Sequence, residues 1–66
     1  MKLVTEMPKT GSFVAVWKHN GVMMSDDHRY IDGVLHTFDG EEGVWYADTT
    51  SAECYVDMNV QFVIGE

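Results

Sequence analysis

Apolar and polar residues alternate along much of the chain, most regularly near its end. There Cys54, Val56, Met58, Val60, Phe62 and Ile64 interleave with Glu53, Tyr55, Asp57, Asn59, Gln61 and Val63. A period of two predicts one long, half-buried strand whose even positions face the core. Ser12 to Lys18 is rich in β-branched and aromatic residues. It places Phe13, Ala15 and Trp17 on one face and Val14 and Val16 on the other. Apolar residues on both faces predict a central strand, or one covered on both sides by a barrel wall or a partner.

Shorter β-type runs occupy Lys2 to Thr5, Val22 to Ser25, Arg29 to Ile31, Val34 to Phe38 and Val44 to Tyr46. Between them stand Asn20-Gly21, Asp32-Gly33 and Asp39-Gly40, pairs that accept the positive φ angles of tight hairpins, while Met7-Pro8-Lys9-Thr10-Gly11 reads as a turn. The fold expected is all-β: an antiparallel meander or partly open small barrel of four to five strands. The alternative is α+β, with one short helix near residues 50–55, where Thr50 and Glu53 match a helix-start box.

Length fixes the scale. A chain of 66 residues buries only roughly 60% of its unfolded surface, so residues 1–66 are expected to form a single domain. Its hydrophobic fraction of 45% is too high for a disordered segment. The single Cys54 rules out an intramolecular disulfide, and a domain without such staples has about 3–5 kcal/mol from its core. Such a chain gains from a partner or a second copy of itself. No segment has the length of a membrane span, and the N-terminus lacks a secretory apolar stretch. A free cysteine and five methionines suit a reducing cytoplasm.

Charge changes the picture more. Four basic residues against eleven acidic ones give a net charge of −7. Lys2, Lys9, Lys18 and Arg29 all precede Tyr30. From there on the chain carries only acids: Asp32, Asp39, Glu41, Glu42, Asp48, Glu53, Asp57 and Glu66. A field of one sign speeds encounter with a basic partner and repels nucleic acid and anionic membranes. A protein partner with a basic surface is therefore expected, with no direct nucleic acid and no membrane, and a homodimer is an open option. Solubility alone also accounts for an acidic surface.

Candidate chemistry is thin. His19, His28, His36, Cys54, Asp26 and Asp27 include metal-ligand types, but neighbours in sequence diverge on a strand, so no metal is expected. The alternation turns Cys54 into the core, among acids that oppose thiolate formation. Glu41-Glu42 lies in a glycine-flanked loop, and no phosphate loop, nucleophile motif or dinucleotide fingerprint occurs. The core also leaves little room for a pocket of several hundred Å³. These features predict no enzyme activity and no cofactor.

What remains is surface. If the last run is a strand, Glu53, Tyr55 and Asp57 lie on its solvent face. If Trp45 points inward, Val44, Tyr46 and Asp48 point outward. Two tyrosines beside acids make Tyr46, Asp48, Glu53, Tyr55 and Asp57 the candidate binding residues, because tyrosine gives large contact area at low entropy cost. The bland alternative is that cross-strand tyrosines stiffen a small sheet. Phe13 and Trp17 are expected in the core, and one of Met23-Met24 on the surface.

The opening carries Pro8-x-x-Gly11-x-Phe13-Val14-x-Val16-Trp17, followed by Asn20-Gly21 and later by Trp45. In this it resembles small phage and prophage proteins of unknown function, over about the first third of the chain. The resemblance implies a phage-type accessory protein in the bacterial cytoplasm that blocks a host or defence protein, in some cases by imitating the charge of nucleic acid. The functional expectation is a non-enzymatic, acidic protein-binding module that inhibits a basic or nucleic-acid-handling host protein. The alternative is a small structural or self-assembling, virion-type protein whose strand edge pairs with copies of itself.

Overall fold

The computed structural model describes residues 1–65. It is an open antiparallel sheet of six strands with one short helix: β1 (Lys2–Val4), β2 (Ser12–His19), β3 (Val22–Ile31), β4 (Val34–Asp39), β5 (Val44–Ala47), α1 (Ser51–Val56) and β6 (Gln61–Ile64). The sheet order is β1-β6-β2-β3-β4-β5. β2 to β5 form a meander. The chain then crosses one face of the sheet through α1 and returns as β6 beside β2, and β1 pairs with the outer side of β6.

The turn residues account for the meander. Asn20 and Gly21 have φ of 52° and 79°, and Asp32 and Gly33 have 53° and 78°. Positive φ at both central positions gives the two-residue hairpin turn whose twist matches the flanking strands. The third pair behaves differently. After Asp39 the chain makes a longer loop in which Gly43, not Gly40, takes positive φ. Asp39 Oδ1 accepts the N–H groups of Glu41 and Glu42 at 2.9 and 3.2 Å. Residues 22–31, read in two pieces from sequence, form one continuous strand through Asp26 and Asp27.

β2 is a central strand, bonded to both β3 and β6. Alternation and register sort its neighbours onto two faces. Phe13 stands opposite His28 on one side and Ile64 on the other, and Ala15 opposite Asp26 and Phe62. This is the face that α1 crosses. It holds the core, formed by Phe13, Ala15, Leu35, Tyr55, Val60 and Phe62.

One expected element is overturned. The run from Cys54 to Ile64 is not one strand: it breaks into helix, turn and the four residues of β6. The alternation survives only from Val60 onward, where Val60 and Phe62 are buried. Before that, helical spacing puts Ser51 and Tyr55 toward the sheet and leaves Cys54 exposed and Val56 79% exposed. Asp48 initiates the helix by accepting the N–H groups of Thr50 and Ser51 at 2.9 and 2.8 Å. Those donors have no partner within a helix's first turn. The Thr50 side chain makes no capping bond, so the start signal lay two residues upstream of the expected box.

Candidate partner-binding face

Tyr55 joins α1 to the sheet. Its ring meets Trp17 at 5.6 Å, His28 at 5.6 Å and Phe62 at 5.9 Å between centroids. Its hydroxyl begins a polar chain across the sheet. Tyr55 Oη lies 2.8 Å from His28 Nε2, and His28 Nδ1 lies 3.0 Å from Thr37 Oγ1. The Thr37 hydroxyl donates to Asp48 Oδ2. Thr37 has one proton and gives it to the carboxylate, so its oxygen accepts from His28 Nδ1–H. That leaves His28 Nε2 to accept from Tyr55.

The sequence reaches this arrangement by register: His28 stands opposite Thr37, and the β5-to-α1 connection brings Asp48 over Thr37. His28 is only 1% exposed, which is tolerable because both ring nitrogens are bonded. Among the described residues, no buried side-chain nitrogen or oxygen lacks a partner.

The two ends of the chain have opposite acid–base character. Burial, then the nearby Asp26 carboxylate, push the Tyr55 phenol up to about 12, so it stays protonated at neutral pH. Partial desolvation alone would raise the Asp48 carboxyl. Bonds from the Ser51 side chain, Thr37, and the Ser51 and Thr50 backbone outweigh it and hold Asp48 well below the usual carboxylate range. The chain resembles a proton relay, but the phenol is a poor nucleophile in this state. It fastens helix to sheet through groups that satisfy one another.

The candidate residues therefore divide. Tyr55 was expected on a solvent face and is 8% exposed, in the core. A helix replaced the expected strand and inverted its two sides. Asp48 is turned inward onto Thr37 rather than outward. Tyr46 is 48% exposed, and Glu53 and Asp57 are also exposed. Trp45 does not point into the core. It lies on the opposite face, 5.2 Å from Phe38 between ring centroids, with the Arg29 guanidinium 4.4 Å above its ring. Val44 and Tyr46 share the face of α1, beyond its reach.

Two further acids join that side. Asp26 faces it from β3, and Glu6 lines an open groove of about 700 Å³ with Met7, Ala52, Tyr55 and Val56. A core this small was expected to leave little room for a hollow of this size, and it forms instead between the β1–β2 loop and α1. A second shallow hollow, about 610 Å³, lies between Tyr46, Phe38, Asp39 and Glu41.

The uncovered face has a different composition. The charged strand residues that alternation places there are Lys18, Asp27 and Arg29. Lys2, opposite Ile64 and so in line with Phe13, stands on the α1 side, and the imbalance along the sequence becomes only in part an imbalance between faces.

Among the described residues, no group of three or more His, Cys, Asp or Glu comes together to hold a metal ion. No helix of the described residues is long and apolar enough to cross a membrane. No known protein family, characterised protein or solved structure matches the chain.

Proposed function

We propose that this chain is a non-enzymatic protein-binding module whose helix-bearing side takes a partner with a basic surface. The observation that carries the reading is the excess of acid on the α1 side, where Lys2 is the one basic strand residue among the described residues. Glu6, Asp26, Asp39, Glu53 and Asp57 gather on or around the α1 side, where Tyr46 also stands exposed. The hollow between Tyr46, Asp39 and Glu41 offers an aromatic face and two carboxylates, which suits a lysine or arginine side chain. The likeness of the opening to small phage proteins supports a narrower version, an accessory inhibitor of a nucleic-acid-handling host protein, acting by charge mimicry in the bacterial cytoplasm.

The test begins with proteins retained by the immobilised chain from a bacterial lysate, followed by kinetics with the purified partner. Tyr46→Ala is expected to speed dissociation, with a loss on the order of 2 kcal/mol if the ring is an anchor. An affinity that ignores both Tyr46→Ala and neutralisation of Glu41, Glu53 and Asp57 would reject this side as the binding surface.

A further inference from the structure

Among the described residues β5 pairs with β4 alone, so one edge of the sheet ends on Val44-Trp45-Tyr46-Ala47. The register fixes which backbone groups that edge leaves free. Asp48 donates its N–H to the Leu35 carbonyl at 2.9 Å, one step beyond the His36–Ala47 pair. Bonded pairs alternate along an antiparallel ladder, so Tyr46 with Thr37 and Val44 with Asp39 bond across to β4. Trp45 and Ala47 therefore turn their N–H and C=O groups outward, spaced as a further strand requires.

Sheet edges ordinarily carry a guard, such as a lysine, a proline, a bulge or a very short strand. The opposite edge has one, since β1 is three residues long and includes Lys2. The four residues of β5 are uncharged. Acids stand at its hairpin end instead: Asp39 opposite Val44, then the exposed Glu41 and Glu42.

We propose that this edge takes an extended segment of the partner as an added strand, one with lysine or arginine at alternate positions. The inference rests on the reading of the α1 side as the site of a basic partner, and it names the form that partner takes there. Charge selects the occupant. Side chains of an added strand that fall beside Val44 and Tyr46 lie on the α1 side, within reach of the hollow lined by Tyr46, Asp39 and Glu41. Those that alternate with them fall beside Trp45, where the Arg29 guanidinium already covers the ring and a second cation is repelled. An antiparallel second copy of β5 would instead bring each Glu41-Glu42 loop toward the Asp48 end of its mate, acid against acid. Main-chain bonds supply the affinity of such strand addition and alternate side chains its specificity.

The probe is an end-capped peptide of alternating lysine and threonine, about ten residues long, added to saturation to the full chain. Hydrogen exchange at the Trp45 and Ala47 amides is expected to slow by about tenfold or more. Methylating the peptide's backbone nitrogens keeps its charge and removes its donors, so binding should weaken about tenfold. Ala47→Pro should bring a similar loss, because it deletes an outward N–H and leaves the bonds of Tyr46 and Asp48 to β4 in place; proline is tolerated on edge strands for this reason. Circular dichroism reports whether that variant folds, and if it does not, the methylated peptide on the unaltered chain decides the question. Equal binding of both peptides with Trp45 and Ala47 unprotected overturns the added strand and keeps the basic partner. Binding of neither at about 1 mM overturns both. A dimer of the free chain that Ala47→Pro abolishes, seen by sedimentation, also overturns the proposal, because it assigns the edge to a second copy.

Discussion

The two faces of this sheet put their aromatic side chains to different ends. Under α1, Phe13, Phe62 and Tyr55 pack ring against ring, with a satisfied polar chain beside them. On the open side Phe38 and Trp45 also pair, but only an exposed arginine lies above them. The first arrangement is closed: each buried polar group has its partner inside the molecule. The second leaves apolar surface that another molecule can cover. In so small a chain, one six-residue helix decides which face becomes core.

The largest effect should come from the closed face. Phe62→Ala is expected to cost about 3–5 kcal/mol, the usual loss for a buried phenylalanine, which is comparable to the whole stability of so small a domain. Val14→Ala on the open face should cost far less in the monomer. Equal losses in thermal or denaturant unfolding would erase the distinction between the faces.

Next come the polar groups. Asp48→Ala removes the acceptor of Thr37 and of two backbone N–H groups, and about 2–3 kcal/mol should be lost. Because the Asp48 carboxyl is depressed in the folded state, its contribution is full above the ordinary carboxylate pKa and disappears as pH falls through the folded value. The gap between wild type and Asp48→Ala should therefore narrow in acid. Tyr55→Phe leaves His28 Nε2 without its donor at a cost of about 1–3 kcal/mol. Urea midpoints would report both.

A smaller effect sharpens the same contrast at high pH. The Tyr55 phenol is raised to about 12, so the stability it confers is intact below the free phenol's pKa of about 10 and is lost as pH climbs through the folded value. Absorbance titration of wild type against Tyr55→Phe should show one phenol titrating near 12. Smallest of all, Glu53→Gln with Asp57→Asn should leave folding almost unchanged. With a partner in hand, they should slow association and flatten its salt dependence, since exposed charges are screened over about 8 Å at physiological salt.

Much of the sheet is legible in the sequence because it is local. Asn20-Gly21 and Asp32-Gly33 fix two hairpins through their own backbone preferences, and β2 announces its central place by being apolar on both faces. The candidate site was less legible because it depended on one ambiguous stretch. Cys54 and Val56 continue the alternation of β6 by coincidence, and with two apolar residues a period of 2.0 cannot be told from one of 3.6. Reading them as strand turned Tyr55 outward when it belongs in the core. His28 and Thr37 gave no signal, because their meaning lies in a cross-strand register and a crossover that no local pattern encodes. Tyr46 and Glu53 kept their exposure through all of this, since neither sits where α1 meets the sheet.

The pairing of β1 with β6 has a kinetic consequence. Lys2 lies opposite Ile64, so of the six strands the first in sequence has no neighbour until the last in sequence has formed. The β2–β3 and β3–β4 hairpins close short loops and can form early. β6 must wait for the crossover, and β1 must wait for β6, at the high loop-closure cost that slows long-range pairing. The N-terminal segment thus joins the sheet only after the rest is built, and in the interval the far edge of the sheet is β6 itself.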